Sequence, residues 1–245
     1  MPVSTSEKTY GQRLQKGRDK VTYISTLAGY SPPNPDIQTA NMTPFLDSID
    51  AQNGLVAAKN QALSEARNLR SNGYYGPGGL KKTMPKVRSF LASFTEGKKS
   101  TAFKAVQKFV QKINGYVKPK KLKTGSNPPT EEEQKKISQI EKSFGSMLQN
   151  GKDIVQIATS LGAAYTPSNP AINVPSMTAM MTLLGNLNAS VIGTQKEADD
   201  AIRDRFDLYE DDNGLRERMQ AINEYVASIY DKDSQEYLGC VAIKY

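Results

Sequence analysis

The chain has 245 residues and a net charge of +7 at pH 7, with 38% hydrophobic and 23% charged residues. It contains no His, no Trp and a single Cys, Cys240. These counts exclude Ser-His-Asp and Cys-His catalysis, zinc sites that use His, and a disulfide within the chain. We therefore predict a non-enzymatic protein with no cofactor and no metal site.

The first 20 residues are basic and contain no apolar block, so we predict a cytoplasmic protein without a signal peptide. No charged residue occurs between Asp153 and Lys196, but prolines and asparagines interrupt that stretch. It therefore predicts buried core rather than a membrane span.

Two parts of the chain are similar to each other. Residues 10–27 align with 144–161, and after one inserted residue 28–94 align with 163–229. The alignment contains 25 identities over 85 positions, where composition alone would give about 5. The sequence therefore predicts two homologous repeats, at 1–97 and 131–245, separated by a basic junction and linker at 98–130.

Helical spacing of apolar residues predicts three helices in each repeat. They cover about 5–28, 43–70 and 80–94 in the first repeat, and 131–163, 178–208 and 215–230 in the second. Thr43 is the predicted N-cap of the second helix, with Pro44 at its first position. The predicted fold class is all-α, with two three-helix units forming a pseudo-twofold bundle.

Residues 101–114 are open to two interpretations. Apolar residues three and four apart favour a basic amphipathic helix. However, the position of Ser100 aligns with that of Ser234, and the tail at 236–245 is rich in residues that favour strands. A short extended segment after each third helix is the alternative.

The motif Tyr-x-Pro-x-Asn-Pro-x-Ile occurs twice, at Tyr30–Ile37 and Tyr165–Ile172. Its prolines cannot continue a helix, so we predict an ordered connection. With the Met-Thr pair and the long helix that follow it in both repeats, the motif resembles internally duplicated helical proteins of Bacteroidota. The resemblance implies no activity and no site residue.

Positions that step by three and four residues line one face of the long helix, which we call the seam. The seam carries the same four residue types in both repeats. They are Asn53, Val56, Arg70 and Tyr74 in the first repeat and Asn188, Val191, Arg205 and Tyr209 in the second. Asp19 and Asp153 are the one identical pair of carboxylates, and a lone acid predicts a structural role rather than catalysis. Counting residues from the connecting turn predicts that Asp19 contacts Asn53 and that Asp153 contacts Asn188.

The junction holds the most unusual charge pattern. No acidic residue lies between Glu96 and Glu131, and nine lysines fall in that interval: Lys98, Lys99, Lys104, Lys108, Lys112, Lys118, Lys120, Lys121 and Lys123. Such a tract is either a solvated helix face followed by a flexible linker, or a site for polyanions, which clustered lysines bind by counterion release.

Two functions follow from these features. The leading hypothesis is a structural or scaffolding protein that binds another protein or a second copy of itself, without a membrane span. The alternative is a nucleic-acid-binding protein, nucleoid- or virion-associated, that uses the lysine tract. The tract has no Arg and few aromatics, so this alternative predicts little sequence preference.

Overall fold

A computed structural model of the protein describes residues 5–115 and 143–245. Over these two ranges the regular structure is α-helix and short 3-10 turns, with no strand, so the all-α prediction is confirmed. No helix within them is both long enough and apolar enough to cross a membrane. The helices are α1 (Thr5–Ile24), α2 (Thr39–Tyr75), α3 (Leu80–Ala92), α4 (Thr101–Asn114), α5 (Phe144–Ser160), α6 (Val174–Glu210), α7 (Leu215–Ile229) and α8 (Gln235–Ala242).

The chain packs into two compact units, each built from both sequence repeats. Among the described residues, unit 1 comprises 5–63 and 194–245, and unit 2 comprises 64–115 and 143–193. The long helices α2 and α6 each contribute one part to unit 1 and the other part to unit 2. Repeats defined by similarity and units defined by packing are thus different divisions of the same chain.

The core of unit 1 lies between α1, the first part of α2, and helices α7 and α8. Its buried residues include Leu14, Ile24, Met42, Ile49, Tyr209, Leu215, Met219, Ile222, Val226 and Cys240. Gly17 lets α1 approach closely, because a Cβ at that position would lie 2.8 Å from the Leu46 side chain. A side chain at this position would require the Leu46 side chain to move.

The core of unit 2 lies between α3, α4, α5 and the first part of α6. Its buried residues include Tyr74, Leu80, Met84, Val87, Phe103, Val106, Val110, Met147, Ile154, Met177 and Leu184. Gly151, which aligns with Gly17, also occupies a tight position, since a Cβ there would lie 2.7 Å from the sulfur of Met181. Packing therefore accounts for glycine at both aligned positions.

The tyrosine-proline motif forms a closed connection in each repeat. The hydroxyl groups of Tyr30 and Tyr165 donate to the carbonyls of Ile37 and Ile172, each at 2.8 Å. The motif asparagine in each repeat accepts a backbone N–H two residues later and caps a 3-10 turn. The tyrosine and the asparagine of the motif thus both hold the connection in place by hydrogen bonds to its own backbone.

Residues 101–114 form a helix, and so do residues 235–242, so the alternative of extended segments is wrong. Ser100 accepts the backbone N–H of Phe103, and Ser234 accepts that of Tyr237, each at 3.1 Å. These bonds cap the two helices. In α4 the apolar residues at 103, 106, 110 and 113 are all buried on one face, which a strand could not achieve.

The start of the long helix was predicted too late in both repeats. Helix α2 begins at Thr39, with Pro44 inside it, and α6 begins at Val174. Thr43 is not an N-cap, because its hydroxyl donates to the carbonyl of Thr39 at 3.2 Å. The N–H of Met42 already bonds to the carbonyl of Gln38, so the helix is established before the proline removes a donor.

Candidate functional site

Five of the nine junction lysines lie in the described part of the chain, and all five are exposed in unit 2. We call them the lysine surface: Lys98, Lys99, Lys104, Lys108 and Lys112. The other four, Lys118, Lys120, Lys121 and Lys123, lie outside the described residues. The apolar face of α4 is buried, which orients the three α4 lysines away from the core.

The three α4 lysines follow one another at intervals of four residues. Residues at this spacing lie on one side of a helix, with a rise of about 6 Å from each to the next. No acidic residue occupies the first turn of α4. No member of the lysine surface forms an ion pair with any residue in 5–115 or 143–245. Their charges are therefore not neutralised by neighbouring acids there.

Helix α3 adds to this charge. Residues 80–114 contain nine basic residues and one acidic residue, Glu96. The corresponding pair of helices in unit 1, at 215–242, contains three basic and five acidic residues. The basic character thus belongs to one of two similar helix pairs, which argues that the fold does not require it.

The seam residues that the two repeats share form a buried polar network in unit 1. The amide nitrogen of Asn53 donates to the hydroxyl of Tyr209 at 3.1 Å, and that hydroxyl donates to the carbonyl of Tyr10 at 2.9 Å. The guanidinium of Arg205 lies over the Tyr10 ring, 4.3 Å from its centroid. Burial raises the pKa of Tyr209, and the hydrogen bond from Asn53 opposes this increase.

The aligned residues form the same kind of network in unit 2. Asn188 donates to the hydroxyl of Tyr74, which donates to the carbonyl of Phe144, both at 2.9 Å. Arg70 lies over the Phe144 ring at 4.1 Å. Three seam residues per unit, an asparagine, an arginine and a tyrosine, are thus part of one network.

The predicted aspartate–asparagine pairs are corrected by these contacts. Asp19 accepts from Gln15 at 2.8 Å, and Asp153 accepts from Gln149 at 2.9 Å, each one turn earlier in its own helix. The count from the turn gave the wrong level for each aspartate, because the long helix begins earlier than predicted. Gly17 and Gly151, two residues before the aspartates, lie against Leu46 and Met181, which come seven residues before the asparagines. The partners of the asparagines are tyrosines of the other repeat, which a count within one repeat could not reveal.

A second polar cluster, which the sequence analysis did not single out, is buried in unit 1. The side chain of Lys20 is 1% exposed, and its ammonium donates to the amide oxygen of Asn223 at 2.6 Å. The buried thiol of Cys240 contacts the same oxygen at 3.5 Å. Burial lowers the pKa of Lys20 and raises the pKa of Cys240.

A cleft of about 730 Å³ in unit 1 is also basic. Its walls include Lys16, Arg216 and Lys244, together with Arg13, but they also include Asp19 and Glu210. Lys16 pairs with Asp19, and Arg216 pairs with Glu210. The guanidinium of Arg13 forms an ion pair with Glu210 and donates to the hydroxyl of Tyr245. The Arg13 charge is thus already partnered. Among the described residues no group of His, Cys, Asp or Glu side chains could hold a metal ion.

Comparisons of the chain with protein-family models, with curated proteins and with solved structures found no match. Functional inference therefore depends on the charge and contacts of the residues themselves.

Proposed function

We propose that the protein binds polyanions, with nucleic acid as the polyanion, through the lysine surface of unit 2. The observation that carries this proposal is the absence of acidic partners for the five exposed lysines within the described residues. An exposed ammonium without an acidic neighbour contacts phosphate without first breaking an ion pair. The difference in charge between the two similar helix pairs supports a role beyond folding.

The expected mode of binding is electrostatic and largely independent of sequence. Lysine reaches phosphate as a point charge, and α4 offers no arginine fork for a guanine edge. The driving force is the release of counterions from the nucleic acid, so each lysine that neutralises a phosphate adds to the salt dependence. Contacts of this kind position a protein on DNA without reading base sequence.

The test is a binding titration of the full chain with a random duplex at low salt. The variant is Lys104→Gln/Lys108→Gln/Lys112→Gln, which removes three exposed charges from one face of α4. The control is Lys196→Gln/Arg203→Gln/Lys232→Gln, which removes three exposed charges from unit 1. We expect the α4 variant to bind at least about tenfold more weakly and the control to bind like the wild type. Equal weakening of both, or no binding by the wild type, would refute the proposal.

A scaffolding or protein-interaction role is the second candidate. Its support is the set of apolar side chains exposed on α2 and α6, among them Leu69, Leu183, Ile192 and Phe206. Single exposed apolar residues are normal on protein surfaces, so this support is weaker than an unneutralised charge cluster. Concentration-dependent association of the full chain, measured by analytical ultracentrifugation, would favour this role.

We also propose that the two repeats arose by duplication and that each keeps the same order of three homologous helices. The identities at aligned positions support this, as do the matching contacts of the motif tyrosines and of the two seam networks. On this proposal, the net charge of the α3–α4 pair and that of the α7–α8 pair became different after the duplication. Polyanion binding would then be a property of the junction that follows the first repeat.

A further inference from the structure

Helix α3 carries a second row of lysines next to the lysine surface. Lys82 and Lys86 are exposed, and neither forms an ion pair with any residue that the structure describes. They are four residues apart, so they lie on one side of α3, with a rise of about 6 Å between them. This side is opposite the face that buries Leu80, Val87 and Leu91.

The two rows of lysines face away from one shared core. Helices α3 and α4 pack against each other, and both contribute buried residues to the core of unit 2. The axes of packed helices are about 8–10 Å apart. The α3 row and the row formed by Lys104, Lys108 and Lys112 on α4 are therefore adjacent on the solvent side of the helix pair.

Two rows of positive charge match the two phosphate backbones of a duplex. The minor groove of B-DNA is about 6 Å wide and is bordered by one backbone on each side. Lysine side chains are long and flexible, so ammonium groups on two neighbouring helices can reach both borders of such a groove. A single strand offers one line of phosphates, which one row of lysines is enough to neutralise.

The surface also lacks the rings on which single-stranded bases stack. Proteins that bind single strands without sequence preference combine a basic groove with exposed aromatic side chains. Residues 80–114 contain four aromatic side chains, all of them buried or packed against the core of unit 2: Phe90, Phe94, Phe103 and Phe109. Tyr75, at the end of α2, is 42% exposed, but Lys81 lies over its ring, 5.0 Å from the centroid. Phosphate contacts, rather than base stacking, therefore decide which nucleic acid binds.

We propose that the surface of α3 and α4 binds double-stranded nucleic acid in preference to single strands. The α4 row neutralises phosphates of one strand, and Lys82 and Lys86 neutralise phosphates of the other strand across the minor groove. This inference rests on the proposed function, because it requires that the lysine surface binds nucleic acid. It adds the class of nucleic acid and the contribution of α3.

The experiment titrates the full chain with a random duplex and with one of its strands alone, each at several salt concentrations. At low salt we expect the duplex to bind at least about tenfold more tightly, because it engages two more lysines. Equal binding of the two, or tighter binding of the single strand, would overturn the preference for duplex and leave nucleic-acid binding intact. Absence of binding to either would refute the proposed function itself.

Matched variants separate the two rows. Lys82→Gln/Lys86→Gln should make the slope of log K against log salt shallower by about 1.8 on the duplex, since each lysine contributes about 0.9. The same variant should keep the wild-type slope on the single strand. The control Lys196→Gln/Lys232→Gln removes two exposed lysines from unit 1 and should keep both slopes. An unchanged duplex slope for the α3 variant, or equal losses on both nucleic acids, would contradict the assignment of α3 to the second strand.

Discussion

At the scale of single residues, burial shifts the pKa values of several side chains. The Lys20 ammonium has lost most of its contact with water and is compensated by one amide oxygen of Asn223. The aligned residue in the second repeat is Ile154, which is fully buried in the core of unit 2. One repeat thus holds a cation where the other holds an apolar side chain.

Stability should depend on pH through Lys20. Burial lowers its folded pKa, so between that folded pKa and the ordinary value of 10.5 the unfolded chain binds more protons than the folded chain. This term makes the free energy of unfolding rise with pH over that window. Lys20→Met removes the term, so unfolding in urea at pH 7 and pH 10 should show the wild type gaining stability relative to the variant. Lys16→Met, at an exposed position in the same helix, should leave the pH dependence unchanged.

Tyr165, the motif tyrosine of the second repeat, also makes the free energy of unfolding depend on pH. Its contribution has the opposite sign to that of Lys20. Burial raises the pKa of Tyr165 from 10.0 to about 12, so above pH 10 the unfolded chain loses this proton first. The free energy of unfolding therefore falls as pH rises from about 10 to about 12.

Tyr165→Phe should cost about 1 kcal/mol at pH 8, because the hydrogen bond to the carbonyl of Ile172 is lost. The cost should shrink or reverse by pH 11, since the variant has no phenol to ionise. Chemical denaturation at both pH values checks this. A cost that stays the same at both values would contradict the assigned pKa.

At the scale of helices and connections, the sequence predicted much of the fold because the determining interactions are local. Apolar residues at helical spacing, with Gly79 before α3 and Gly214 before α7, predicted both helices closely. The choice between helix and strand at 101–114 could not be made from β-propensity, because burial of one helical face overrides it. The start of α2 was missed because Pro44 is tolerated inside the helix rather than beginning it.

Helix α4 also presents the lysine surface, so its stability should affect that surface. Ser100→Ala removes the side-chain acceptor for the N–H of Phe103 and should destabilise unit 2 by about 0.5–2 kcal/mol. Thermal unfolding followed by circular dichroism measures the change. Ser100→Asp should retain the cap, so a similar loss in both variants would contradict a capping role.

At the scale of the whole molecule, each compact unit is assembled from distant parts of the chain. The Asn53–Tyr209 and Asn188–Tyr74 bonds both join one repeat to the other. Sequence similarity identifies the repeats, but it carries no information about which helix packs against which. For that reason the seam residues were found from the sequence and their partners were not.

Because each unit contains residues of both repeats, we expect that a fragment with only one repeat does not fold cooperatively. A fragment of residues 1–97 contains Met42 and Ile49 of the unit 1 core but lacks Tyr209, Leu215 and the other residues buried against them. We expect 1–97 and 98–245 each to lack a cooperative unfolding transition, and their mixture to regain one. Cooperative unfolding of the isolated 1–97 fragment would contradict the division into these two units.

The central claim, that the lysine surface binds polyanions, is tested most directly by the salt dependence of duplex DNA binding. The slope of log K against log salt counts the phosphates that the protein neutralises. We predict that Lys104→Gln/Lys108→Gln/Lys112→Gln makes this slope shallower by about 2.7, because three lysines contribute about 0.9 each. The charge-matched unit 1 control should keep the wild-type slope. An α4 variant with an unchanged slope would contradict the account.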